Sequence, residues 1–491
     1  MPSATSFIAF IALVSAYSIT LAGQTMEANL DTAANRVILQ ERVVGASVLV
    51  VQRDKIILHK GYGFADLALE APTQADSFYH VVGPIAPFEG VAIMQQVERG
   101  KLSLDDDISR LIPEFPLQGH HITVRELLNH TSGIVDYHYL GDQFESTYQV
   151  PKSEDEMMAL FSGRPWVAPP GIKWDWSISN FQLLDMLIER VTGQTYDEYM
   201  QQNLFVPSGA TTIIPCNNST LVHGLSHGYH LSANGYTPAT EDSAAAGYDL
   251  RYCSNVTDIY RVWHAVRQGK LLRPETLRLM STADPSGLHI SGHDPDVNYG
   301  LALVLNHEDS HRSIGQNGSL LGYSGSLYEF PAEDLTVVVL SNTAGQNAAD
   351  IGMAVARKAL GLPDVALQTN QISHNFLSDE PTTVTERSQF TGTYRLKVIN
   401  GAYHESFSQY RQTYRVFQEN GRLMIEALNE MPERLLKQKD GSFALASDPN
   451  APITFVLSEH QPITINLTRY PGLKLSGERI GPGDIQTFHH M

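Results

Sequence analysis

The sequence predicts an α/β protein of the α+β kind, followed by a separate all-β region. Residues 47–53 and 56–63 are apolar strand-like segments on either side of an Asp-Lys turn, which predicts a hairpin. Further along, Leu184, Leu187 and Ile188 recur at helical spacing. After about residue 363, short strand-like pieces follow one another with turn residues between them, a pattern typical of a small β-barrel or sandwich.

The other elements are marked by their end signals. A helical pattern covers 28–43, and a second helix runs from Pro84 to Arg99, with Gly100 as its stop. Capping boxes predict helix starts at Thr123 and Thr195, and Asn255 is expected to cap a further helix. The continuous apolar run 335–341 predicts a buried strand.

Length and charge bound the organisation and the partners. The 491 residues suffice for two or three domains, and we place a domain at 23–362, a polar linker at 363–388 and a β-domain at 389–491. The formal net charge is −19, which argues against binding to nucleic acid or to an anionic membrane surface.

The N-terminus carries an apolar run over residues 7–22. Its 16 residues are short for a membrane span and suit a signal peptide, here 1–22, with cleavage near Ala22. The alternative is an apolar tail that tethers the chain to a membrane. The signal-peptide interpretation predicts a secreted or secretory-pathway protein with no stable membrane span.

Cysteine and asparagine usage is compatible with an oxidising secretory compartment. Cys216 and Cys253 can form one disulfide in an oxidising environment, although two buried thiols are an equal alternative. The candidate glycosylation sites are Asn129, Asn217, Asn218, Asn255, Asn317 and Asn466.

The segment 78–94 and the stretch 98–106 that follows resemble the nucleophile helix of the serine β-lactamase and penicillin-binding-protein superfamily. The similarity is strongest to the class C β-lactamase, D-alanyl-D-alanine carboxypeptidase and esterase branch. It spans roughly residues 30–360 and implies an antiparallel sheet flanked by helices, with an α-helical lobe and a lipocalin-like domain after it. In this family a serine opens the helix, and a lysine three residues later keeps it activated. Here those positions are Gly83 and Ala86.

Two further family motifs are also altered. The Tyr-x-Asn motif aligns with Trp176 and Ile178, and the His- or Lys-x-Gly motif aligns with Gln316 and Gly318. An indole N–H donates but cannot act as a general base, and isoleucine has no polar side-chain atom. We therefore expect a pocket in which neutral apolar and aromatic surface replaces the titratable groups, and in which Gly83 and Ala86 leave volume by being small.

Other polar residues flank these motifs. His80, Glu89, Tyr137, Asp175 and Asn180 could supply proton transfer, although each is expected to be solvated or structural. Of these, Tyr137 and Asn180 are the candidate polar participants. His307 and His311 match a zinc-protease pattern, but they fall in a predicted turn between strands rather than on a helix. We expect no metal and no cofactor.

The leading hypothesis is an enzyme that has lost serine acyl transfer. It would bind a small apolar or aromatic molecule in the old acyl pocket and promote cyclisation or isomerisation, for example in secondary metabolism. Two alternatives stay open, namely a pseudoenzyme that binds a ligand or partner without turnover, and a hydrolase or esterase with an unrecognised nucleophile.

Overall fold

The computed structural model describes most of the chain, namely residues 25–140, 150, 152–216, 221–232, 235–239, 251–283, 297–364, 380–399, 411–419, 421–427, 433–445, 452–457, 462–469 and 473–482. The predicted signal peptide, Asn217, Asn218 and positions 365–379 of the predicted linker lie outside these ranges.

Within the described ranges, twenty-one strands form two larger and two smaller sheets. In chain order they are β1 (Gly45–Gln52), β2 (Lys55–Asp66), β3 (Ala71–Pro72), β4 (Tyr79–His80), β5 (Ile214–Pro215), β6 (Tyr229–Ser232), β7 (Gly235–Pro238), β8 (Tyr252–Ser254), β9 (Asn298–Tyr299), β10 (Val304–Glu308), β11 (His311–Leu320), β12 (Tyr323–Phe330), β13 (Leu335–Ser341), β14 (Gly392–Val398), β15 (Arg411–Glu419), β16 (Arg422–Ala427), β17 (Glu433–Lys437), β18 (Phe443–Leu445), β19 (Pro452–Val456), β20 (Thr464–Arg469) and β21 (Leu473–Gly481).

The helices are α1 (25–40), α2 (Ala86–Glu98), α3 (Val124–Leu128), α4 (Glu154–Phe161), α5 (Ile178–Thr192), α6 (Tyr196–Met200), α7 (Val206–Ser208), α8 (Val256–Arg267), α9 (Pro274–Met280), α10 (Asn347–Ala359) and α11 (Val384–Phe390). Short 3-10 turns occupy Ile108–Arg110 and Tyr137–Leu140, and a π-helical turn occupies Gln201–Phe205. Every helix within the described ranges is too short or too polar to cross a bilayer.

Local capping chemistry explains several helix starts. The capping boxes predicted at Thr123 and Thr195 are confirmed, and the Asn255 side chain accepts a hydrogen bond from the Asp258 N–H, as expected. Two further boxes open α4 at Ser153 and α11 at Thr383. The box at Thr383 puts a helix inside the segment expected to be a polar linker.

The central sheet is antiparallel, with strand order β3-β2-β1-β13-β12-β11-β10-β9. Successive residues of β1 point to opposite sides of the sheet, and alternate residues belong to two different cores, so both faces of the sheet are buried. Val48 and Val50 belong to a core shared with α1 and α10, whereas Leu49 and Val51 belong to the larger core that contains α2, α5 and α8. The result is a sheet between two helical layers, as the resemblance implied.

The C-terminal region is a closed barrel in which β14 to β21 pair in sequence order and β21 pairs back with β14. Closure removes the edge strands, and apolar side chains such as Tyr394, Leu396 and Ile465 fill the interior. Phe390 at the end of α11 stacks on Phe455 within the same core. The predicted all-β region is therefore an eight-stranded barrel.

The fold brings the start of α2 against the central sheet. β4 pairs with β8, and the chain then runs through Val81 and Val82 to Gly83, just before α2. Gly83 meets β11 on the face of the sheet that carries the larger core. This junction is where the altered motifs converge.

Candidate functional site

A cavity of about 510 Å³ lies between the start of α2, the start of α5 and strand β11. All six positions singled out by the altered motifs line it, namely Gly83, Ala86, Trp176, Ile178, Gln316 and Gly318. Gly83 and Gly318, which are 235 positions apart in the chain, thus line the same cavity. Its size is ordinary for a small-molecule site.

The backbone closes the cavity at the position where the family carries its serine. A Cβ built on Gly83 would lie 2.4 Å from the Gly318 nitrogen and 2.5 Å from the Asn317 carbonyl carbon. Gly83 also has a φ of +85°, a left-handed conformation that favours glycine. The expectation that Gly83 leaves volume is therefore wrong, because the peptide that joins Asn317 to Gly318 occupies the space a side chain would enter.

Aromatic rings form the opposite wall. Trp174, Trp176, Phe181 and Tyr299 line the cavity, with centroids of Trp174 and Tyr299 5.7 Å apart and those of Trp176 and Phe181 5.7 Å apart. Trp174 and Trp176 are partly buried, and Phe181 and Tyr299 are buried. Together the four rings offer a large apolar contact surface. The aromatic character predicted from Trp176 is thus extended by three neighbours.

His130 holds this wall from behind. Its ring lies 4.2 Å from that of Trp176, and its Nδ1 accepts hydrogen bonds from the Ser177 N–H and from the Asn180 side-chain amide. Complete burial lowers the pKa of His130 to about 3, so the ring is neutral at ordinary pH. His130 is a structural residue that fixes the start of α5.

Several polar atoms at the cavity lack partners in the described part of the protein. They are Gln316 Oε1, the Tyr299 hydroxyl and Trp174 Nε1, all of them buried atoms. Burial raises the pKa of Tyr299 well above its usual value, with a contribution from the Glu89 charge, so the hydroxyl stays protonated. An unpartnered buried polar atom is costly, which makes each of these groups a candidate for an interaction with a ligand.

Glu89 corrects the expectation of a wall without titratable groups. It lines the cavity and is 6% exposed, so it is not solvated. Glu89 lies one helical turn after Ala86, on the same face of α2. Its place beside the altered motif was the sequence signal that marked it as a candidate.

His138 is a second titratable group on the wall, and the sequence analysis missed it. It follows Asp136, whose carboxylate accepts hydrogen bonds from the N–H groups of His138 (2.8 Å) and Ile178 (3.1 Å). His138 Nδ1 lies 3.6 Å from Asp136 Oδ1. The Asp-x-His spacing is too common in sequences to have indicated this pair alone.

Tyr137 and Asn180, the two polar candidates, are buried in the core rather than on the cavity wall. Tyr137 is fully buried and stacks on Phe161, and Asn180 Oδ1 accepts from the Ser132 hydroxyl at 2.6 Å. His307 and His311 lie on paired strands of the β10–β11 hairpin, where His307 is opposite Arg312. That geometry is not the helical one that the zinc motif requires.

The two cysteines form a disulfide, with Cα atoms 5.7 Å apart. This confirms the pairing of Cys216 with Cys253. Cys253 lies opposite His80 in the β4–β8 pair, and His80 Nδ1 is 3.5 Å from Cys216 Sγ. The disulfide therefore braces the strand that leads into Gly83.

The described sequons differ in accessibility. Asn129 is 3% exposed and accepts from Thr131, and the Asn255 amide donates to the Thr212 hydroxyl as part of a helix cap. Asn317 lines the cavity, and its side chain forms a hydrogen bond with the side chain of Tyr328. Asn466 lies half-buried on β20.

Comparisons with known proteins bear on the fold of the chain. The family model described as Beta-lactamase matches residues 21–361. Protein flp of Staphylococcus aureus (strain MRSA252) is 26% identical over 318 residues, which are 64% of this chain and 62% of that protein. Penicillin-binding protein 4* of Bacillus subtilis (strain 168) is 25% identical over 60% of this chain and 67% of its own length. The match thus spans about 62% of the length of protein flp.

Solved structures extend the similarity beyond the family match. The octameric penicillin-binding protein homologue from Pyrococcus abyssi has a TM-score of 0.61 at 21% identity and covers 91% of this chain and 99% of its own. A D-stereospecific amidohydrolase from Streptomyces sp. has a TM-score of 0.58 at 22% identity and covers 69% of this chain and 99% of its own. At these identities the likeness establishes the fold alone.

Proposed function

Because this chain belongs to the β-lactamase family, we propose that it uses the family's cavity to bind a small, uncharged, largely apolar or aromatic molecule. We propose further that it promotes a reaction without a covalent bond to the protein, such as isomerisation or cyclisation. The catalytic contribution would come from holding a reactive conformer and excluding water.

The observation that carries the proposal is the contact between Gly83 and the Asn317–Gly318 peptide. Acyl transfer needs a nucleophile about 3 Å from the substrate carbonyl, with donors arranged around the developing oxyanion. Here the nucleophile position has no side chain, and the strand backbone lies where one would project. Restoring a serine would require the backbone to move.

The wall chemistry favours a neutral ligand. Five aromatic side chains, those of Trp174, Trp176, Phe181, Tyr299 and Tyr328, give it apolar area. Gln316 offers a neutral carboxamide whose Oε1 has no protein partner in the described ranges. Glu89 adds negative charge, which disfavours an anionic ligand in a partly desolvated cavity. A compact molecule with an aromatic or alicyclic body and one or two polar groups fits these properties.

We also propose that the protein enters the secretory pathway. The apolar run at residues 7–22 favours a signal peptide, and a disulfide persists in oxidising compartments. Expression of the full chain in a secreting host, with sequencing of the secreted product, tests this. A mature N-terminus near Gly23 is expected, whereas a full-length precursor held in the membrane fraction would contradict it.

The main experiment is equilibrium dialysis of the protein against a small-molecule metabolite extract, analysed by mass spectrometry. We expect neutral compounds to be retained or converted by the wild type. Trp176→Ala should weaken retention about tenfold or more, since it removes a large contact area. Trp166→Ala is the matched control, because Trp166 is partly buried against His120 outside this cavity.

The outcomes separate the candidate functions. New products that depend on Trp176 support an enzyme, whereas retention without products supports a ligand-binding pseudoenzyme. Equal retention and conversion by wild type and Trp176→Ala would show that this cavity is not the working site.

A further inference from the structure

Two groups on the cavity wall are suited to moving protons. Glu89 and His138 both line the cavity, and they come from different elements, α2 and the 3-10 turn Tyr137–Leu140. The other titratable groups on the described wall are Tyr299 and Tyr328, and burial raises the pKa of both above the usual tyrosine range. Glu89 and His138 are therefore the carboxyl and imidazole groups of the described wall, and these side-chain types serve widely as general acids and bases.

The Asp136 carboxylate is positioned to orient His138. Each of its oxygens accepts a backbone N–H, one from His138 and one from Ile178 at the start of α5. The side chain of Asp136 is 2% exposed, and its Oδ1 lies 3.6 Å from His138 Nδ1. A carboxylate beside Nδ1 favours a proton on that nitrogen, which leaves Nε2 to accept or deliver a proton.

Glu89 is directed by its helix. Helical side chains lean toward the N-terminus of the helix, so a residue at i+3 covers the turn before it. For Glu89 that turn carries Ala86, whose methyl group leaves room where the family places a lysine. Glu89 and Tyr299 both line the cavity, and the Glu89 charge contributes to the raised pKa of Tyr299.

Resting on the proposed function, we propose that Glu89 and His138 form an acid–base pair that relocates a proton on a neutral carbonyl compound. Glu89 takes a proton from the carbon next to the carbonyl, and the electrons of that C–H bond form the C=C bond of an enolate. The carbonyl π electrons move to oxygen, which the His138 imidazolium protonates from Nε2, leaving a neutral imidazole with its remaining proton on Nδ1. Return of a proton to the same or to a conjugated carbon, with deprotonation of the oxygen, restores a carbonyl compound and both side chains.

The substrate class follows from this pairing. A neutral C–H acid loses its proton to a carboxylate without any covalent intermediate, which agrees with the absent nucleophile at Gly83. The separation of Glu89 and His138 on two elements lets one group act on carbon and the other on oxygen. Asp136 is a positioning residue in this scheme, because it acts through His138.

The test uses 2-tetralone, a neutral aromatic ketone with acidic C–H groups, and the full-length protein in deuterium oxide. Binding is measured by quenching of tryptophan fluorescence, and proton transfer by NMR detection of deuterium entering the α-carbons. We expect the wild type to bind the ketone and to accelerate exchange. Glu89→Gln and His138→Gln should each slow exchange at least 30-fold, with the dissociation constant changed less than threefold.

His121→Gln is the matched control, because His121 also pairs with an aspartate, Asp107, but is 89% exposed and lies off the cavity. It should exchange like the wild type. Asp136→Asn should slow exchange and move the His138 limb of its pH–rate profile to lower pH, since a carboxylate stabilises the imidazolium. A merely structural role would leave that limb in place.

The outcomes distinguish this inference from the proposed function. Binding without accelerated exchange, or exchange that survives both Glu89→Gln and His138→Gln, overturns the acid–base pair and leaves the ligand site intact. Failure of the ketone to bind, together with no retention in the dialysis experiment, overturns the proposed function and the inference with it. Circular dichroism and thermal melting verify that each variant is folded.

Discussion

The backbones of Gly83 and Gly318 are in direct contact. A Cβ built on Gly318 would lie 2.9 Å from both the nitrogen and the Cα of Gly83, and a Cβ on Gly83 would lie 2.4 Å from the Gly318 nitrogen. Neither position tolerates a side chain unless the start of α2 and strand β11 separate. The altered nucleophile position is thus part of a backbone contact, rather than a lost side chain alone.

This contact predicts that Gly83→Ser is strongly destabilising. The variant meets two costs, a positive φ and a clash with backbone atoms, and should lower the free energy of unfolding by about 2 kcal/mol or more. Gly100→Ser is the matched control, since Gly100 has a φ of +67° but nothing within 4 Å of its added Cβ. Urea unfolding measures both. Equal stability of the two variants would show that the contact at Gly83 opens easily.

His130 predicts a specific loss of stability in acid. Its pKa is about 3 in the folded protein, below the value of about 6.5 expected when unfolded. Between these values the unfolded chain binds a proton that the folded protein does not. Stability is therefore present above pH 6.5 and falls toward pH 3, by about 1.4 kcal/mol per pH unit for this one group.

His130→Phe keeps an aromatic ring against Trp176 but cannot be protonated. It should be less stable than wild type at pH 8, because the Ser177 N–H and the Asn180 amide lose their acceptor. Its stability should fall less steeply between pH 6 and pH 4. Parallel slopes for the two proteins in urea unfolding would contradict the buried neutral state of His130.

Features of the fold that depend on a few neighbouring residues could be predicted from the sequence, whereas contacts between distant residues could not. Local patterns gave the β1–β2 hairpin, the caps at Thr123 and Thr195 and the short strands of the barrel, because those signals act over a few residues. The positions that line the cavity came from motif resemblance. The contact of Gly83 with Gly318 could not be found, since it depends on how closely two distant backbones approach.

Two titratable residues of the cavity wall, Glu89 and His138, also depend on tertiary contacts that the sequence does not show. Glu89 was noticed beside the altered motif, but burial rather than residue type decides its role, and burial is a tertiary property. His138 could not be identified from the sequence, because its role depends on the position of Asp136. That position is fixed by a hydrogen bond from the Ile178 N–H, and Ile178 is distant in the chain. In contrast, Tyr137 carried a plausible polar group and is packed in the core.

A carboxyl pair distant from the cavity predicts the opposite pH effect. Burial, then the neighbouring Asp350 charge and hydrogen bond, raises the pKa of Glu41 to about 8. The folded protein holds a proton that the unfolded chain releases near pH 4.5, so this stabilisation is fully present below about pH 4.5 and is lost progressively as the pH rises through 8. With allowance for solvent screening, the loss should be on the order of 1–2 kcal/mol. Thermal melting between pH 6 and pH 9 should show it in wild type, and Glu41→Gln should flatten the profile. A pH profile unchanged by that substitution would contradict the raised pKa of Glu41 in the folded protein.

The disulfide should contribute substantially to stability. Cys216 and Cys253 are 37 positions apart, and closing a loop of that length stabilises by about 3–4 kcal/mol in the chain-entropy model. The double variant Cys216→Ser, Cys253→Ser should therefore melt at a clearly lower temperature under non-reducing conditions. Two free thiols in the protein purified without reductant would contradict the pairing.

We propose that this β-lactamase-family cavity acts without an acyl-enzyme. Intact-protein mass spectrometry after incubation with a penicillin and with a fluorophosphonate measures this, with a serine β-lactamase as the positive control. We expect no mass increase on this chain, since Gly83 has no nucleophilic side-chain atom and the Asn317–Gly318 peptide occupies the space into which a side chain would project. A stoichiometric adduct on any serine, for example Ser313 or Ser319 of the cavity wall, would contradict it.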